Sequence, residues 1–219
     1  GTGPKAGGPL YIKRLQRNPD GALGGTLGAH TIHEPAGMMA TDAFNSLLEW
    51  AKAHGHESIA ALGEQYAHST PLGTSLLLPS PTGERNTLSF APRGGVLCAA
   101  SSSSALLNQI AAALVTGNTV VVAAQSASLI PSGLPKRVRE HIRISENLTQ
   151  DVEIAIALVE ITQMASILPL LAAHKGALIP SVESTETGVI ALWRLVAGRA
   201  LCINTTAAGG NASLMTLDG

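Results

Sequence analysis

The stretch from Pro92 to Gln125, PRGGVLCAASSSSALLNQIAAALVTGNTVVVAAQ, constrains the chain more than any other. A glycine pair leads into a short apolar run, Val96-Leu97-Cys98-Ala99, and four serines follow. Leu106, Leu107, Ile110, Ala113 and Leu114 then recur at the spacing of one helical face, and Gly117-Asn118 ends the pattern. Thr119 to Val122 is β-branched throughout and suits a buried strand. Two buried strands joined by one helix make a βαβ unit, which requires a parallel sheet with right-handed crossovers. The expected fold is therefore α/β: a Rossmann-like, doubly wound parallel sheet.

The remaining elements fit around that unit. Asp42 to Ala53 reads as an amphipathic helix with Phe44, Leu47, Leu48 and Trp50-Ala51 inward and Thr41 or Asp42 as its N-cap. Glu57 to His68 is a second helix, with Ile59, Leu62 and Tyr66 on one side. Ser75–Pro79 and Asn86–Ala91 flank PSPTGER and predict a β-hairpin. A short helix is expected within Pro131–His141 and a strand over Asp151–Val159. Thr162–His174 follows as a helix with Met164, Ile167, Leu168 and Leu171 on its inner face, kinked or shortened by Pro169. Gly176–Val182 predicts the next strand, Val189–Val196 an apolar segment carrying Trp193, and Arg199–Asn204 a terminal strand. Gln16 to Thr41 has no periodicity and reads as a linker.

Composition narrows the chemistry. With 14 basic and 15 acidic residues in 219, the net charge of −1 gives no reason to propose nucleic acid as a partner. Lys136, Arg137, Arg139 and Arg143 form a modest basic patch without interleaved aromatics, better suited to internal salt bridges than to phosphate. His30, His33 and Glu34 lie next to Pro35 and nearby glycines, so no helix presents them as metal ligands. His54, His56 and His68 match no helical ligand pair and suit helix ends. Cys98 and Cys202 sit in apolar, strand-like runs and are expected to be buried thiols in a reducing, cytoplasmic setting. The serine run could cradle an anion at a helix N-terminus, but a G-x-G-x-x-G fingerprint is absent, and N-capping by Ser103 or Ser104 explains the serines better.

Three stretches carry a resemblance. Gly1–Leu15, GTGPKAGGPLYIKRL, resembles the end of the glutamate-semialdehyde dehydrogenase domain of the bacterial proline utilization A family. Asn204-Thr-Thr-Ala-Ala-Gly-Gly-Asn-Ala-Ser-Leu-Met resembles that family's C-terminal motif. Pro92–Val122 looks like the first βαβ unit of the aldehyde dehydrogenase superfamily, and LLLPSPTGERNTLSFAPRG like the segment opening the C-terminal domain of the longer family members. The resemblance implies a C-terminal piece of a long bifunctional enzyme, divided as the end of the dehydrogenase domain (1–15), a linker with two helices (16–73), a degenerate dehydrogenase-like domain (74–198) and a terminal strand and tail (199–219).

What the resemblance implies about activity follows residue by residue. The superfamily places an aromatic residue and an oxyanion-supporting asparagine after the first strand, where this chain has Ser101–Ser104. It places a ribose-contacting lysine and a proline after the second, where Ala123 and Ala124 stand. The Gly-Gln-x-Cys nucleophile motif is absent. No catalytic, cofactor-binding or metal residue is therefore assigned. FAD and NAD would belong to the parent enzyme, which in this family oxidises proline, passes electrons to membrane quinone, and oxidises glutamate semialdehyde. The implied partner is the upstream dehydrogenase domain of the same polypeptide. The implied contact is a tunnel-covering tail comprising Asn204, Thr205, Thr206, Gly209, Gly210, Asn211, Ser213, Leu214 and Met215. The alternative is a free-standing NAD-binding or oligomerisation module of aldehyde dehydrogenase ancestry.

Overall fold

The computed structural model describes residues 39–78, 80–151 and 153–204, with a short strand at 31–33 and residue 11. Two sheets organise these residues. The larger has five strands: β4 (Gly95–Ala99), β5 (Thr119–Ala123), β6 (Ile142–Ser145), β7 (Ile154–Glu160) and β8 (Ser181–Ser184). They pair in parallel in the order β6-β5-β4-β7-β8. The central strands β4, β5 and β7 are buried along nearly all their length, so the sequence there shows unbroken Val/Ile/Ala/Leu runs, whereas the edge strands β6 and β8 carry exposed residues, Ile144 and Glu183.

The two faces collect different partners, as a period of two demands. Val96, Cys98, Val120, Val122, Ile156, Leu158 and Val182 join one core, against helices α1 (Met39–Ala53), α2 (Glu57–Ser69) and α3 (Ser103–Val115). Leu97, Ala99, Val121, Ala123, Ala157 and Val159 join the other, where Ile167 and Leu171 of α5 (Met164–Ala172) cover them. The short helix α4 (Lys136–Arg139) places Val138 in the first core. The expected doubly wound arrangement is thus present.

The second sheet is antiparallel, ordered β1-β2-β3-β9 from β1 (Thr31–His33), β2 (Thr74–Leu78), β3 (Glu84–Pro92) and β9 (Val196–Asn204). The β2–β3 hairpin is the one expected from PSPTGER. β9 pairs β3 along all of it, from Pro92 opposite Val196 to Glu84 opposite Asn204. Leu76, Leu88, Phe90, Trp193 and Val196 form the small core of this sheet.

Asn118 joins the two sheets. Its Oδ1 accepts from the Arg93 and Gly94 amides at 2.7 and 3.0 Å, and its Nδ2 donates to Thr116 Oγ1 at 2.8 Å and to the Leu195 carbonyl at 2.9 Å. The side chain is buried, so each of these bonds replaces water that cannot enter. Gly117 precedes it with φ of 73°, the left-handed conformation that closes α3 and turns the chain into β5. The Gly-Asn-Thr run is therefore a structural device.

Several expectations need correcting. α1 starts at Met39, so Thr41 and Asp42 lie within its first turn and do not cap it. The stretch expected to be linker contributes β1 and the start of α1. The cap of α3 is Ser102, whose hydroxyl accepts from the Ala105 amide, rather than Ser103 or Ser104. α5 runs only from Met164 to Ala172, shorter than the expected Thr162–His174, with Pro169 inside it. Leu168 points outward, because Ile167 and Leu171 already fill the strip facing the sheet. The strand expected over 176–182 begins only at Ser181, after Pro180. Cys202 is exposed: its register opposite Asn86 puts it past the Leu88–Ala200 pair, outside the small core.

Candidate functional site

In an open α/β sheet, ligands bind at the carboxyl ends of strands where the chain order reverses. Here that point lies between β4 and β7, because α3 leaves β4 on one face and α5 leaves β7 on the other. Ala100 to Ser102 form the turn after β4, Ser103 and Ser104 open α3, and Glu160 ends β7 beside them.

Glu160 is 8% exposed and accepts two short hydrogen bonds, from the Ser101 amide at 2.6 Å and the Ser101 hydroxyl at 2.8 Å. Its carboxylate therefore sits on the turn where a bound anion would take its first donors. Ser102 is committed to capping α3, with its hydroxyl 3.4 Å from Glu186 Oε1, and Ser103 donates to the Leu129 carbonyl at 2.7 Å. The Ser101–Ser103 hydroxyls are thus engaged inside the chain, two of them with carboxylates.

Residues 185–190 are tied across α3 by a buried polar network. Asn108 Nδ2 donates to the carbonyls of Gly188 at 2.9 Å, Thr185 at 3.3 Å and Glu186 at 3.4 Å. Its Oδ1 accepts from the Tyr66 hydroxyl at 2.7 Å, which in turn accepts from the Ile190 amide at 3.0 Å. Burial pushes the Tyr66 phenol up to about 12, against the opposing effect of those two hydrogen bonds. The next residue, Gln109, donates to the Ala99 carbonyl and to Ser184 Oγ, linking the ends of β4 and β8.

Ala123 ends β5 and Ala124 opens the 3-10 turn after it. Cys98 is buried, and loss of solvent pushes its thiol far above the ordinary range, the reverse of what a nucleophile needs. Cys202 lies on the open sheet with its Sγ 3.7 Å from Glu84 Oε2; residual desolvation and that carboxylate raise its thiol too. Three of the four residues of the basic patch are paired internally: Arg137 with Asp42, Arg143 with Asp151 and Glu153, and Lys136 with Glu140. His54 and His56 stack on Trp50, and His68 bonds the Glu64 carbonyl at a helix end. Among the described residues, no group of three metal-binding side chains occurs and no helix is long and apolar enough to cross a membrane.

Of the expected tail residues, Asn204 ends β9 opposite Glu84. Thr205, Thr206, Gly209, Gly210, Asn211, Ser213, Leu214 and Met215 lie outside the described residues. Sequence reasoning passed over Glu160, Tyr66 and Asn108. The signals were present: a carboxylate closing an apolar strand, and the polar pair Asn108-Gln109 inside an otherwise apolar helix.

This topology defines an aldehyde-dehydrogenase-type fold, and solved structures bear that out. The chain superposes on proline utilization A from Bradyrhizobium japonicum with a TM-score of 0.53 at 21% identity, covering 70% of this chain and 20% of that one. It superposes on betaine aldehyde dehydrogenase from Staphylococcus aureus, solved with NAD+, with a TM-score of 0.50 at 13% identity, covering 68% and 38%. No protein-family profile matches the chain. Over 230 residues it is 39% identical to the bifunctional protein PutA of Escherichia coli, covering 99% of this chain and 17% of that protein. The Rhizobium meliloti PutA is 34% identical over 229 residues, covering 99% and 18%. The chain is thus related along nearly its whole length to one segment of the proline utilization A proteins, and spans about a sixth of their length.

Proposed function

We propose that this chain is a non-catalytic C-terminal domain of a bifunctional proline utilization A, packed on the dehydrogenase domain and helping to seal the tunnel through which the semialdehyde intermediate passes. The observation that carries the reading is a combination: relationship to the family over 99% of the chain, with serines at 101–104 and alanines at 123 and 124 where the superfamily's motif residues would be. A dinucleotide does not suit the crevice, because the Glu160 carboxylate already takes the Ser101 donors and a phosphate would face it at close range. FAD and NAD would serve the parent's own catalytic domains.

A retained domain of this kind docks within one polypeptide, where the linker supplies a high effective concentration. The outer edge of β9 suits that role. Among the described residues β9 ends the sheet order and pairs only with β3, on one side, and Arg199 to Asn204 are exposed. Such an edge can accept a strand from a neighbouring domain, and the tail from Thr205 to Met215 continues from it. Deleting residues 209–219 from the full enzyme is expected to slow coupled proline-to-glutamate turnover while each half-reaction, assayed with its own substrate, is unchanged. Unaltered coupled kinetics in that truncation would sink the reading.

A further inference from the structure

Glu160 is a buried carboxylate with no ion-pair partner among the described residues, whereas the carboxylates of Asp42, Glu64, Glu140, Asp151 and Glu153 each have one. Buried charges are ordinarily paired or hold a cation. Its two hydrogen bonds, from the Ser101 amide and hydroxyl, both fall on Oε2, which leaves Oε1 to another partner. A second acceptor stands beside it. Gln109 is fully buried in α3, and its Oε1 has no hydrogen-bond partner among the described residues. The amide cannot be turned round, because its other end meets the Ala99 carbonyl at 3.2 Å, which only the Nε2 donor satisfies. Topology places that oxygen. β7 runs between β4 and β8, with Ala99 opposite Val159 and Glu160 opposite Ser184. Nε2 bonds Ala99 on one side of β7 and Ser184 Oγ on the other, so the amide crosses the end of β7 where Glu160 stands. Glu160 shares the parity of Ile156 and Leu158, and Ser184 that of Val182, so both side chains rise on the face that α3 covers. Gln109 Oε1, Glu160 Oε1 and Ser184 Oγ are thereby gathered under α3 at the carboxyl end of the sheet.

We propose that these three oxygens bind a monovalent alkali cation. An all-oxygen ligand set suits a hard cation. One carboxylate balances one positive charge, whereas calcium sites gain their affinity from the number of charged ligands. The ion supplies the positive charge that Glu160 lacks and gives the orphaned Gln109 oxygen its partner in the same step. Ser184 Oγ accepts from Gln109 and keeps a second lone pair for the ion. The 8% of Glu160 that stays exposed is the way in. A crevice that in this fold ordinarily takes an anion is thus turned to the opposite sign. The site lies inside one domain, so it is independent of the tunnel, of the tail and of whatever the domain docks against.

The test is hydrogen–deuterium exchange of the full polypeptide that carries this chain, in potassium chloride, in sodium chloride and in tetramethylammonium chloride at equal ionic strength. The tetramethylammonium ion is too large to enter. Peptides covering the turn after β4 and the end of β7 are expected to exchange at least about threefold more slowly in one or both alkali salts. Glu160→Gln removes the charge and keeps an acceptor for Ser101, and Gln109→Met keeps the length and removes the oxygen. Each variant is expected to exchange at one rate in all three salts, with peptides of α1 and β5 still protected as the sign that the fold persists. Equal exchange of the unsubstituted protein in the three salts leaves a buried water as the occupant and overturns the inference. Alkali protection that survives both substitutions places the ion elsewhere and overturns it. Protection by calcium chloride alone identifies a divalent ion and overturns it as well.

Discussion

Replacing Asn118 with alanine tests whether one side chain holds the two sheets together. The substitution removes five hydrogen bonds, the longest a 3.5 Å contact from Nδ2 to the Thr116 carbonyl. Thr116 Oγ1 keeps its bonds to the carbonyls of Ala112 and Ala113, so the uncompensated groups are the Arg93 and Gly94 amides and the Leu195 carbonyl. A buried polar group left without a partner costs about 1–3 kcal/mol. Some of the three will recover water at the edge of the cavity, which puts the expected loss at roughly 3–5 kcal/mol. For a domain of this size each kcal/mol moves the thermal midpoint by about 2–4 °C, so a fall of roughly 6–20 °C is expected. Urea unfolding followed by tryptophan fluorescence reads the same quantity, because Trp50 reports on the α1 core and Trp193 on the antiparallel sheet. A loss below about 1 kcal/mol would mean that these bonds are worth no more than surface contacts, and the argument for Asn118 as the joint would fail.

Tyr66→Phe strips the hydroxyl from Asn108 Oδ1 and the Ile190 amide and is expected to cost about 2–3 kcal/mol in chemical denaturation. The folded-state phenol is raised to about 12 from 10, so its contribution is intact below pH 10 and is lost as pH rises towards 12. Wild type should therefore lose up to about 1.4 kcal/mol per pH unit more than Tyr66→Phe across that window; parallel curves would refute the burial argument. Native alkylation should modify Cys202 and spare Cys98 until unfolding, and Glu84→Gln should speed it by removing the adjacent negative charge; mass spectrometry of labelled peptides decides. Gly95→Ala should be far more damaging than Gly63→Ala in thermal melts. A Cβ at Gly95 meets the Glu153 backbone carbonyl, whereas at Gly63 it meets the end of the mobile Leu48 side chain.

The central βαβ unit was legible because its hydrophobic period switches from continuous to helical and back within one short stretch, and both switches are marked by glycine or serine. β6 escaped notice because Ile142-Arg-Ile-Ser is short and half polar; Arg143 fits there only because Asp151 and Glu153, distant in pattern but near in space, pair with it. Cys202 was misread for a related reason. A run such as Leu-Cys-Ile says strand, but whether the strand is covered depends on how far Trp193 and its neighbours reach. That Ser101–Ser104, Ala123 and Ala124 stand where the superfamily's motif residues would be could be read from the sequence alone. The carboxylate that fills the crevice could not, since Ser101 and Glu160 lie 59 residues apart and meet only through the order of strands.

The pairing of β3 with β9 sets an order on the making of this protein. Contacts such as Ser89 with Arg199 span 110 residues, and the whole parallel sheet is encoded between them. On a ribosome, the β2–β3 hairpin therefore emerges early with one edge open, while β4 to β8 are still being synthesised. Non-local pairing of this kind is slow and leaves strand edges open to wrong partners. The nascent chain spends that interval with the outer edge of β3 unpaired, and anything that stalls translation between β4 and β9 prolongs it.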